Sequence, residues 1–122
     1  MLTEFVRAEK GRLWEGDREF RFFGMAVPNL HQNESQLKPD WSNRFPDAYE
    51  IRDVLESLQQ IGCTATRTFG LSIQADDPMP AYLTGPGRLN EEAFWTYDRI
   101  FAEAHRSGVR IIFPFIDSHT FY

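Results

Sequence analysis

The sequence has little of what marks several whole classes of protein. It has one cysteine, Cys63, so an internal disulfide framework is excluded and a thiolate zinc site lacks its ligands. Its three histidines, His31, His105 and His119, do not have metal-ligand spacing. Neither a metal nor a cofactor is expected. No apolar stretch approaches the roughly 18 residues of a membrane span, the longest being Ile111 to Ile116. The first residues, Met1 to Lys10, carry charges throughout and lack the apolar core of a signal peptide. No membrane partner is read from the chain. Lys and Arg number 13 against 18 Asp and Glu, the net charge is −5, and no basic stripe forms, which argues against nucleic acid. Nucleotide and hydrolase signatures are missing too. Gly85-Pro86-Gly87 is too short for a phosphate loop, and there is neither a Gly-x-Ser-x-Gly elbow nor a His-Glu-x-x-His helix.

What is present suits one domain of ordinary globular composition: 122 residues, 42% hydrophobic and 25% charged. Aromatics make up 15%, with eleven Phe. Most of these rings belong in a core, while a Trp or Tyr in a loop can serve as a platform for a sugar ring. The N-terminus, residues 1–21, reads as short antiparallel strands forming a hairpin. Phe5-Val6-Arg7, Arg12-Leu13-Trp14-Glu15 and Glu19-Phe20-Arg21-Phe22 are separated by the turn signals Gly11 and Gly16-Asp17.

Residues 22–122 read as three strands and two helices. Phe22 to Val27 is almost wholly apolar, as in a parallel strand buried on both faces. Asp47 with Glu50 three residues on predicts a capping box. Ile51, Val54, Leu55, Leu58 and Ile61 then form one helical face, which Gly62 closes. Thr64 to Phe69 is rich in β-branched residues and reads as the second strand, with Cys63 a small buried residue just before it. Asn90 caps a second helix, Glu91 and Glu92 suit its dipole, and Phe94, Tyr97, Phe101 and Ala104 form its apolar stripe. His105 near its C-terminal end reads as structural, and Gly108 ends it. Val109 to Ile116 is the third strand, with a bulge or strand end near Pro114. The fold class is α/β, with β-α-β-α-β following the hairpin and right-handed parallel crossovers.

The connections are uneven. Those from helix to strand are only Gly62-Cys63 and Gly108, whereas those from strand to helix run from Pro28 to Pro46 and from Gly70 to Leu89. Both long connections leave the C-terminal ends of parallel strands, the edge where α/β proteins bind ligands. Asn29 and His31 follow the first strand there, Arg67 lies near the end of the second, and Asp117 and His119 follow the third. Arg67 is the most pointed of these. A guanidinium buried in a Thr-rich strand needs an anion, and a carboxylate from another strand would be held ionised by it. The alternatives are a structural ion pair or a solvent-exposed arginine. Trp41 and Tyr82 lie in the two long loops and are candidate sugar platforms.

These segments resemble a known family. Phe20-Arg21-Phe22-Phe23-Gly24-Met25-Ala26-Val27-Pro28-Asn29-Leu30, after the hairpin Gly11 to Gly16, is similar to the first strand of glycoside hydrolase family 5 enzymes, especially their β-mannanase-like branch. Ile61 to Phe69 resembles that family's second strand, whose arginine lies in the active site. Leu89 to Asp98 and Gly108 to Ile112 resemble its second helix and third strand. The resemblance implies the N-terminal part of a (β/α)₈ TIM barrel, incomplete here by about 130 residues. It also implies a retaining mechanism on a β-linked oligosaccharide or polysaccharide, mannan-like or glucan-like. Retention needs two carboxylates about 5 Å apart, one an acid/base after strand four and the other a nucleophile on strand seven. Both would lie beyond Tyr122, so no catalytic residue is assigned in this chain, and alone it is expected to be inactive. Mannanase-like relatives carry an Asn-Trp pair where this chain has Ser118-His119. The alternatives are a non-catalytic carbohydrate-binding or interaction protein and a self-sufficient small α/β domain. An open sheet edge weighs against the last.

Overall fold

The Lys10-Gly11 turn organises the N-terminus of the computed structural model, which describes residues 1–33, 44–71 and 82–115. Both turn residues have positive φ, 50° and 75°, matching the twist of a two-residue hairpin. It joins β1 (Val6–Glu9) to β2 (Arg12–Glu15), and a second turn adds β3 (Arg18–Glu19), giving an antiparallel sheet in the order β1-β2-β3. Arg7 lies opposite Trp14 and Glu9 opposite Arg12.

A parallel sheet follows, in the order β4 (Gly24–Ala26), β5 (Ala65–Arg67), β8 (Arg110–Ile112). Helix α1 (Ala48–Gln60) connects β4 to β5. Its Asp47 carboxylate accepts the Glu50 backbone N–H at 2.9 Å, and Glu50 Oε2 accepts the Asp47 N–H at 2.9 Å, so the capping box is complete. Between β5 and β8 lie a short hairpin, β6 (Leu83–Gly85) with β7 (Arg88–Leu89), and helix α2 (Glu91–Ser107). Asn90 caps α2 through the Ala93 N–H, and Gly108 is its C-cap.

Core packing follows the helical period. Ile51, Leu55 and Leu58 of α1 meet Ala93, Tyr97, Ile100 and Ala104 of α2, over Cys63, Val109 and, at its margin, Ile111 and Phe113. The two helices are also tied at their surface, where Arg106 reaches Glu56 at 2.8 Å and Arg52 reaches Glu103 at 3.2 Å. Two predicted stripe positions fall off the buried face. Ile61 is the C-cap of α1, beyond its last turn, and Phe101 is 45% exposed while Ile100 beside it is sealed.

The strands are shorter than the apolar runs predict, and one is differently placed. The run Phe22–Val27 is not buried on both faces: all of β4 is exposed, as are Phe22 and Phe23. β4 is paired on one side only, with β5, and among the described residues it lacks the two-sided cover of a central parallel strand. Its pairing is nevertheless close. A Cβ on Gly24 would lie 2.3 Å from the Ala65 carbonyl oxygen, so a side chain there would push the strands apart. The segment from Gly70 to Leu89 is not wholly a loop either, since β6 and β7 occupy its end. Leu83-Thr84-Gly85-Pro86-Gly87-Arg88-Leu89 carried that hairpin signal: short strand residues around a Pro-Gly turn. β8 stops at Ile112, two residues before Pro114, as the missing N–H of proline requires.

Candidate functional site

Register fixes what stands at the carboxyl ends of the parallel strands. Ala26, Arg67 and Ile112 are level with one another across β4, β5 and β8. Alternation puts neighbours on opposite faces. Val109, Ile111 and Phe113 pack into the helical core, so Arg110 and Ile112 face away from it, and with them Ala65 and Arg67. The sheet end therefore has two sides, a closed one beneath the helices and an open one.

The open side carries Arg67, Ala26 and Ile112, all exposed. This corrects the premise that Arg67 is a buried charge: it is the last residue of β5, on the face the helices leave open. The backbone around it is well held. Its carbonyl accepts the Val27 N–H at 2.9 Å, and the Phe69 N–H donates to the Pro28 carbonyl at 3.1 Å. Asn29, the next residue, is exposed in a short 3-10 helix, Pro28–His31. At the other edge Phe115 is 73% exposed. Asp117, His119 and Trp41 lie outside the described residues.

The closed side holds His31 and Tyr82, and neither presents a surface to a ligand. His31 is 4% exposed, and its ring stacks on Tyr97 with centroids 5.6 Å apart. Its Nδ1 lies 2.8 Å from the Thr68 hydroxyl, which donates to the Pro28 carbonyl at 3.1 Å. With that hydroxyl proton committed, Nδ1 is the donor and His31 is the Nδ1–H tautomer. Tyr82 has no exposed surface and donates to the His31 carbonyl at 2.9 Å. A ring without a free face cannot receive a sugar, so Tyr82 is a core residue rather than a platform. Tyr97 Oη is buried without a hydrogen-bond partner among the described residues.

Burial has an electrostatic consequence. Desolvation lowers the His31 pKa from 6.5 to about 4, outweighing the opposing hydrogen bond to the Pro28 backbone. The ring is therefore neutral in the folded state through most of the acid range. The unfolded chain takes up the proton near 6.5, the folded chain only near 4, so this contribution to stability is complete above pH 6.5. It declines as pH falls toward 4 and is then fully lost, a total of about 3 kcal/mol. Urea melts of the wild type and of His31→Gln across that range check this. The variant should show the shallower pH dependence, and parallel curves would mean that His31 does not titrate as its burial demands.

Sequence reasoning missed the anchors around the site. Asn33 and Arg44 bridge the base of the first long connection, with N–H to carbonyl distances of 2.8 and 3.1 Å. Glu50 holds both: Arg44 donates to its two oxygens at 2.8 and 2.5 Å and Asn33 Nδ2 at 3.1 Å. Chiefly through Arg44, the Glu50 carboxyl is held down to about 2. At the opposite end of the sheet Arg110 pairs with Glu15, bonds the Glu4 carbonyl at 2.7 Å and lies over the Phe20 ring at 5.3 Å, tying the antiparallel sheet to β8. No local pattern announces these pairs. Among the described residues no three His, Cys, Asp or Glu come together as a metal would require, and no helix is long and apolar enough to cross a membrane. No family model matches the chain, and no curated protein matches it either.

Proposed function

We propose that the chain is the first part of a (β/α)₈-barrel glycoside hydrolase that cleaves β-linked polysaccharide with retention. The observation that carries this reading is the position of Arg67. It ends the central parallel strand on the face opposite the helices, level with Ala26 and Ile112 and beside Asn29. In a closed barrel that face turns inward, and the carboxyl ends of its strands form the catalytic mouth. A guanidinium there is suited to hold a carboxylate ionised and aimed. The sequential strand order, with a helix in each crossover, is the order that such a barrel starts with.

The residues in hand bind and position; later strands would supply the acid/base and the nucleophile. The test compares the 122-residue chain with one extended through its downstream coding sequence, on β-mannan, β-glucan and their oligomers. Only the extended chain should release reducing sugar, and the first product should keep the anomeric configuration of the substrate. Turnover by the pure 122-residue chain, or inversion by the extended one, would sink the proposal. Saccharide binding without hydrolysis by the extended chain would make it a non-catalytic binding protein.

A further inference from the structure

At the other end of the parallel sheet the hairpin of β1 and β2 has a face turned away from that sheet. Cross-strand pairing sets Arg7 opposite Trp14 and Glu9 opposite Arg12, and the two-residue period puts all four on one side. Glu15 bonds Arg110 of β8, so the intervening face, with Leu13 and Glu15, is the one turned toward the parallel sheet. The Arg7–Trp14 face points away from it. Together with Lys10 and Asp17 these four residues line an open cleft of about 460 Å³.

Its chemistry is mixed: three cations, two carboxylates and one half-buried indole. Arg7 is held in place, donating to the Gly16 carbonyl at 2.6 Å and lying 3.8 Å from Glu9, which Lys10 also approaches at 3.8 Å. Exposed ion pairs of this length contribute little to the fold. An inorganic anion would meet Glu9 and Asp17, and a purely apolar ligand would strand the charges. A neutral saccharide satisfies both demands. Its C–H face lies on the indole, and its hydroxyls donate to carboxylates and accept from guanidinium and ammonium groups.

We infer that the Trp14 cleft is an accessory binding site for a neutral oligosaccharide, set at the end of the sheet remote from Arg67. The inference does not rest on catalysis, because the cleft would hold a chain whether or not the opposite end cleaves one.

The test is ¹⁹F NMR of the intact protein carrying 5-fluorotryptophan, whose three tryptophans report separately. Cellohexaose and mannohexaose are the neutral probes and oligogalacturonate the anionic one. A neutral hexaose should shift the Trp14 signal saturably at millimolar concentration. Calorimetry should show binding weakened about tenfold in Trp14→Ala, as for losing one stacked ring, with part of it kept in Trp14→Phe. Arg12→Ala, a change at an exposed position, should weaken it in a protein whose circular dichroism is unchanged. Arg67→Ala should leave the saturable Trp14 shift unchanged. No shift at Trp14, a shift with the anionic oligomer alone, or binding untouched by both Trp14→Ala and Arg12→Ala would overturn the assignment. Binding lost in Arg67→Ala instead would place the saccharide at the other end. Hydrolysis by the extended chain is assayed apart from the Trp14 signal, so the two readings fail separately.

Discussion

Replacing Tyr82 by alanine should cost the fold about 3–5 kcal/mol, the range for deleting a large buried aromatic side chain. The ring is fully enclosed, with His31, Phe45, Phe94 and Tyr97 at centroid distances between 5.0 and 5.7 Å. It ties the 3-10 helix after β4 and the end of the first long connection to the first turns of α2. Its removal would leave a void that elements fixed by the β4–β5–β8 register cannot readily close. Tyr82→Phe keeps the volume and removes only the bond to the His31 carbonyl, so it should cost about 1 kcal/mol. Urea unfolding of the two variants separates the packing contribution from the hydrogen bond. If Tyr82→Ala were as stable as wild type and lost only saccharide affinity, the ring would be a platform after all.

Tyr82 also shows where the sequence stops being informative. Local signals were sound wherever the determinant was local. Asp47 with Glu50, Asn90 and Gly108 mark helix ends because capping joins residues within one turn. The order of parallel strands and helices was legible for a similar reason, since each crossover is written in its own hydrophobic period. Tyr82 lies in a Pro- and Gly-rich stretch and reads as a loop aromatic. Its burial is decided by His31, fifty-one positions earlier, and by the face of α2. Phe22 to Val27 failed in the opposite sense. An apolar run reports what a strand can tolerate on its two faces, not whether neighbours are there to cover them, and among the described residues β4 pairs only with β5. The composition of its strand suggests a buried Arg67, whereas its exposure follows from alternation. Thr66 and Thr68 point into the core, and Arg67 therefore points out of it.

That outward position is what makes Arg67 the candidate site residue with the largest expected effect on rate. In the extended chain, Arg67→Ala should lower kcat by roughly 100- to 1000-fold, the usual loss when a preorganised electrostatic partner is removed. The carboxylate proposed to face it carries this effect. A charge-assisted pair lowers a glutamate's pKa and fixes its orientation. Without the guanidinium the nucleophile is protonated at higher pH, so the acid limb of the pH–rate profile should move upward while the alkaline limb stays. Arg67→Lys should recover little of the rate, because one ammonium cannot copy the planar fork of donors. KM for long oligomers should change less than kcat, since the lost interaction acts in the chemical step rather than on distant sugars. A merely structural arginine would show none of this. The backbone that Arg67 contributes to the sheet, its carbonyl on the Val27 N–H, survives substitution of the side chain. A folded Arg67→Ala enzyme with kcat within about twofold of wild type and an unmoved acid limb would therefore take the arginine out of the catalytic mouth.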